Sequence, residues 1–203
     1  MRANTLLLVG WIFNFVWVAS LFVAPYTLDP GTVRGLDGRA NVVDYGERWS
    51  DLPWFAGAVY AFGDLNCHQM EHRSWILNGN QMPVDARMTA GFVGAALALP
   101  FLLLLVELPR MRDQVAQLVP AKLRPRLSTP KRRLWFFIAL CAVTLGPAIV
   151  DLALQFGGVE STNARRTVTG LLMGAGLALV AGSCIKMLLA PLPVVRPTRV
   201  VAT

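Results

Sequence analysis

Charged residues are absent from four long stretches of this chain, and their spacing predicts its architecture. Ala3–Leu28 runs 26 residues without Asp, Glu, Lys or Arg, and Met88–Val106 and Thr167–Ile185 run 19 each. Leu134–Val150 runs 17, reaching Val159 if the single charge of Asp151 is tolerated. A helix needs roughly 20 apolar residues to cross hydrocarbon, with about 17 as the lower bound. Only helices and closed barrels satisfy their backbone in lipid, and the alternation a barrel strand needs is missing here. The pattern therefore predicts an all-α integral membrane protein, a single membrane domain with four transmembrane helices at about 4–26, 88–107, 134–156 and 167–188. The first apolar run exceeds the roughly 7–15 residues of a cleavable signal and is read as an anchor.

A fifth apolar stretch, Leu52–Gly63, is too short to span. Ser50-Asp51-Leu52-Pro53 has the form of a helix start. Trp54, Ala58 and Phe62 then follow at i, i+4, i+8, which predicts a short interfacial or re-entrant helix with one apolar face.

Composition agrees with this class: 55% of the 203 residues are hydrophobic and only 15% charged, against about 25% charged in a soluble domain. The net charge of +7 invites a nucleic-acid reading until it is mapped. Residues 108–133 carry Arg110, Arg112, Lys122, Arg124, Arg126, Lys131, Arg132 and Arg133 against Asp113 alone among the residues from 110 on. Basic residues beside a span are expected for topology and anionic headgroups, so no nucleic-acid partner is expected. The positive-inside rule makes 108–133 a cytoplasmic loop in a cytoplasmic (inner) membrane, with both termini cytoplasmic and Lys186, Arg196 and Arg199 in the tail. Residues 27–87 are then extracytoplasmic. From Asp29 to Arg87 they hold eight acids and five arginines.

The chemistry-bearing residues collect in that segment. Both histidines, His68 and His72, lie there with Cys67. Asp151 follows Arg133 by 18 residues, roughly 27 Å along a helix, so it reaches the same side of the membrane. Cys67, His68, Gln69, Arg73, Asp85, Arg87, Asp151, Gln155, Asn163 and Arg166 are the candidate site. Zinc takes Cys, His and carboxylate ligands, and Cys67, His68 and Asp85 supply three such groups. An alternative row, Asp64, His68 and His72, forms if the helix from Pro53 continues. The competing reading is a hydrogen-bonded loop with Cys67 packed as a small hydrophobe. Asp151, an acid within a span, is read either as an acid/base group oriented by Gln155 or as the partner of Arg87 or Arg166 in an ion pair. His68 is the second candidate for acid/base work, and Arg73, Arg87 and Arg166 are the candidates for holding an anionic headgroup.

Cys67-His68-Gln69, Arg73-Ser74, Gly79, Gln81-Met82-Pro83, Ala86-Arg87 and Gly91 resemble the motif of an uncharacterised prokaryotic family of small polytopic membrane proteins, a domain of unknown function. Pro147, Asp151, Gln155, Ser161-Thr162-Asn163, Arg166 and Thr169-Gly170 extend the resemblance, which covers roughly Cys67 to Gly174. It implies the polytopic architecture and no activity. The family pattern has a second cysteine in a Pro-Val-Cys-Ala-Arg stretch. Asp85 stands at that position here, so a Cys–Cys pair is absent and a metal site would need a carboxylate.

Elsewhere the polar and small residues fit packing. Ala90, Gly94, Ala98, Gly170 and Gly174 allow close helix approach, Asn14 suits a bond across the bundle, and Gly146-Pro147 should bend the third span. The tryptophans suit an aromatic belt. Three functional classes follow. The first is an enzyme acting on a lipid headgroup at the extracytoplasmic face. The second is a non-catalytic accessory subunit of a larger membrane complex or a homo-oligomer, for which residues 25–51, poor in core-forming residues, are the argument. The weakest is a transporter, since no inverted repeat is evident.

Overall fold

The computed structural model describes residues 3–190. Four helices are long and apolar enough to cross a membrane: α1 (Ala3–Val23, continued by a 3-10 turn to Thr27), α4 (Ala86–Leu103), α6 (Pro130–Phe156) and α7 (Asn163–Leu189). Shorter elements fill the connections. Before α4 come α2 (Gly46–Ser50), α3 (Trp54–Asn66) and a hairpin of β1 (Ile76–Leu77) with β2 (Asn80–Gln81). Between α4 and α6 lies α5 (Met111–Ala116). The chain is an all-α membrane protein.

Side chains just ahead of three long helices set where they begin. Asp85 accepts from Met88 N at 2.7 Å. Thr129 accepts from Arg132 N, followed by Pro130 at the first position, and Thr162 accepts from Arg165 N. Each relieves amide groups that the helix itself leaves unbonded. The span expected to reach residue 107 is helical only to Leu103. Beyond it, Gln114 and Gln117 take the amide and carbonyl of Val106 and the amide of Leu108. Lys186, counted with the basic tail, is buried in the last turn of α7 and donates to Leu105 O at 2.5 Å. Arg196 and Arg199 lie outside the described residues.

α4 and α7 form the centre and are the most buried of the four spans, α1 and α6 lying outside them. Small residues permit this contact, as expected. A Cβ at Gly174 would overlap the Gly91 carbonyl, one at Gly170 the Arg87 carbonyl, and one at Gly94 the Leu171 carbonyl. On the other side of α4, Trp11 Nε1 donates to Ala96 O and Asn14 Nδ2 to Phe92 O, both at 2.9 Å. These bonds fix α1. α6 leans on α7, with Thr144 against Gly176, and runs through Pro147 as one helix.

Residues 28–85 form a polar cap over one end of this bundle. Residues 25–51, expected to have little to form a core alone, are ordered by packing on other segments of the same chain. Val33, Leu36 and Trp49 are buried with Ala56, Val59 and Tyr60 of α3 and with Met82 and Val84. Carboxamides replace regular secondary structure as the source of backbone partners. Asn80 binds Pro25 O, Asp29 O and Val33 N, and Gln81 binds Leu36 N and Gln69 O. Asn78 and Gly79, both at positive φ, make the two-residue turn of the hairpin, where the strand twist favours an Asn-Gly pair.

The predicted helix over 52–63 is present but starts later. Ser50 and Asp51 end α2, and Pro53 holds the N-cap position of α3 without a side-chain bond. Trp54, Ala58 and Phe62 are all exposed, leaving the apolar face expected of an interfacial helix.

Candidate arginine–carboxylate site at the capped end

α3 ends at Asn66, and Cys67 is extended. The row Asp64, His68, His72 therefore does not form. Asp64 is buried and accepts from Tyr45 N and Trp49 Nε1, while His68 is exposed to solvent. Cys67 and His68 also diverge. Cys67 is 2% exposed, and its sulfur accepts from Gln69 N at 3.5 Å and Asp85 N at 3.4 Å. Burial, and then the negative charge of Asp85, push its thiol up to about 11. The Asp85 carboxylate is engaged in capping α4. Among the described residues no three His, Cys, Asp or Glu side chains are grouped to hold a metal ion, Cys67, His68 and Asp85 included. Cys67 sits in a hydrogen-bonded loop, packed among buried apolar residues. Gln69 is likewise a loop tie, donating to Tyr60 O and Pro83 O.

Of the remaining candidates, Arg87 and Gln155 meet Asp151. This residue, 2% exposed on α6, receives on Oδ2 the guanidinium of Arg87 at 2.5 Å, the hydroxyl of Ser161 at 2.8 Å and the amide of Gln155 at 3.4 Å. Its Oδ1 lies 2.8 Å from Arg165 Nη2, an ion pair without hydrogen-bond alignment. The Arg87 partnership anticipated from sequence is present. The Arg166 partnership is not, and Arg165 stands in its place. Neighbouring residues on a helix point about 100° apart, so only one of these two arginines can face α6.

Arg166 turns instead to the loop, 2% exposed, with Nε donating to Ser161 O and Nη2 to Glu160, both at 3.0 Å. Glu160 bridges it to Arg73, whose Nη2 reaches the other carboxylate oxygen at 2.9 Å. The Arg73 guanidinium beside Glu160 holds that carboxyl below the usual carboxylate range. Asn163 Nδ2 donates to Ser74 O and Trp75 Nε1 to Thr167 Oγ1, seating residues 73–75 on the start of α7. Four guanidiniums (Arg73, Arg87, Arg165, Arg166) thus surround two carboxylates (Asp151, Glu160). Arg87 Nε is buried without a partner. Glu160 and the Asp151 contacts of Ser161 and Arg165 escaped the sequence reading. The signal available was that Glu160 is the single acid in the short turn between the ends of two spans.

A family model described as predicted membrane protein (DUF2085) matches residues 67–180, more than half of the chain. The chain belongs to this family. The matched region of the DUF2085 protein begins at Cys67 and includes every arginine and carboxylate of the cluster, while α1, α2 and α3 precede it. None of the curated proteins and none of the solved structures matches the chain.

Proposed function

We propose that this membrane protein binds the phosphate of an anionic lipid headgroup through the arginine cluster at the extracytoplasmic face of the inner membrane. What supports the reading is the excess of cationic groups: four guanidiniums from three separate segments against two carboxylates, with the Nε donor of buried Arg87 unpartnered. Arginine forks match phosphate oxygens in planar pairs, and low surrounding dielectric strengthens such contacts. Orientation follows from the basic residues of 110–133, which belong on the cytoplasmic side. Asp151 acts as the fixed counter-charge that positions Arg87 and Arg165, accepting from Arg87, Ser161 and Gln155 on Oδ2 and pairing through Oδ1 with Arg165.

The test is the full chain in phosphatidylcholine nanodiscs, titrated with short-chain phosphatidylglycerol, with short-chain phosphatidylcholine as reference and inorganic phosphate as a separate arm. Preference for the anionic lipid is expected, reduced about fivefold in Arg73→Gln, the value of one arginine near an anionic surface. Equal binding of both lipids and none of phosphate would end the proposal. Binding of inorganic phosphate as tight as the lipid would identify the ligand as a free anion.

A further inference from the structure

The Glu160 carboxylate lies across two arginines, as a ligand phosphate would. We propose that Glu160 is the resident occupant of the anion seat and that binding requires it to swing out, so that it sets the affinity of the site by competition. This rests on the phosphate-binding reading above and specifies how that site is regulated.

Three observations carry it. First, the two oxygens of Glu160 are shared between separate chain segments, Oε1 to Arg73 before α4 and Oε2 to Arg166 on α7. An oxyanion bridged by two guanidiniums is the arrangement a phosphate would adopt between them.

Second, the two carboxylates of the cluster differ in their freedom to leave. The side chain of Asp151 is 3% exposed and held by four groups, whereas that of Glu160 is 62% exposed and held only by the two arginines. Glu160 stands on a turn containing Gly158 at φ +84, and rotation of its side chain returns the carboxylate to water at little desolvation cost.

Third, the arginines are held independently of it. Arg166 Nε keeps its bond to Ser161 O, and Arg73 Nε keeps its contact with His72 Nε2 at 3.2 Å. The seat therefore persists when Glu160 departs. Arg87, with its free Nε, contributes further positive potential within electrostatic range of Arg166.

The experiment compares Glu160→Gln with wild type in the same nanodiscs, using short-chain phosphatidylglycerol and inorganic phosphate as probes. Asp37→Asn, the loss of an exposed cap carboxylate outside the cluster, controls for net charge. Release of two partly exposed ion pairs should tighten binding by about three- to tenfold in Glu160→Gln, and by less than about twofold in Asp37→Asn. In Arg73→Gln/Glu160→Gln the gain should disappear. A measurement on the wild-type chain guards against a variant that does not fold. Carbodiimide-driven labelling of Glu160, read by mass spectrometry, should rise on saturation with either probe while labelling of Asp37 stays constant.

Unchanged or weaker binding in a folded Glu160→Gln, or Glu160 labelling that is constant at saturation, overturns the competition. A wild-type chain that binds neither probe instead overturns the phosphate-binding reading itself, and the competition with it. If inorganic phosphate alone raises the labelling, the competition stands and the ligand is a free anion.

Discussion

Arg87, in the first turn of α4, and Asp151, near the end of α6, are paired at 2.5 Å with side chains only 10% and 3% exposed. The pair ties two helices that both pack on α7. Removing one partner of a buried pair leaves an uncompensated charge, which costs about 3–5 kcal/mol. Asp151→Asn should therefore lower the thermal unfolding midpoint sharply in nanodiscs. Arg165→Gln should cost less than about 1 kcal/mol, because the Arg165 side chain is 44% exposed. The double variant Arg87→Met/Asp151→Leu should recover most of the lost stability while abolishing the preference for anionic lipid. A wild-type midpoint in Asp151→Asn would show that the pair holds nothing together.

The four spans, and the meeting of the Cys-His segment with the Asp151 end of the bundle, were legible because length and charge act residue by residue along the chain. Membership of the site was only half legible. The reach from Arg133 to Asp151 follows from helix rise, so the Arg87–Asp151 meeting could be anticipated. The choice between Arg165 and Arg166 could not, because it depends on how α7 is rotated against α6. The end of α3 at Asn66 was hidden for a different reason. It follows from carboxamide bonds of Gln69 and Gln81 to distant backbone, contacts with no periodicity to reveal them. The packing of residues 25–51 was hidden likewise: its partners, Asn80 and Gln81, lie some fifty residues away in a two-residue strand.

Gly174 and Gly10 make a controlled pair. A Cβ on Gly174 would overlap the Gly91 carbonyl, whereas one on Gly10 meets nothing within 4 Å. Gly174→Ala should separate α4 from α7 and cost about 1–3 kcal/mol, as overpacking does, while Gly10→Ala leaves stability unchanged. Equal midpoints for the two variants would mean that the central helix contact is not limiting.

The buried thiol of Cys67 gives a signed pH dependence. Its folded value is raised to about 11, above the roughly 8.5 of an exposed thiol. The folded state holds this proton more tightly than the unfolded state. Its contribution to stability is thus full below about pH 8.5 and is lost as pH rises toward the folded value. The difference in stability between wild type and Cys67→Ala should shrink across that window. Iodoacetamide at pH 8 should leave Cys67 unmodified until the protein is unfolded. Rapid alkylation of the folded chain would contradict the buried placement.

Asp85 is joined to Cys67 through its backbone, Asp85 N donating to the Cys67 sulfur at 3.4 Å. Any side chain at position 85 therefore starts close to that sulfur, and the resembling pattern has cysteine there. Asp85→Cys should form a disulfide with Cys67 on mild oxidation. Two opposing effects decide the outcome for stability. Loss of the carboxylate that accepts from Met88 N costs about 1 kcal/mol, the value of a helix cap. Closing a loop of this size with a disulfide contributes roughly 3 kcal/mol. The reduced variant should accordingly melt below wild type and the oxidised variant above it. Non-reducing electrophoresis after thiol blocking, with Cys67→Ala/Asp85→Cys as control, reads the bond directly. Free thiols at both positions after oxidation would show that the two Cβ atoms do not face one another, leaving the carboxylate at 85 as a helix cap with no bearing on Cys67.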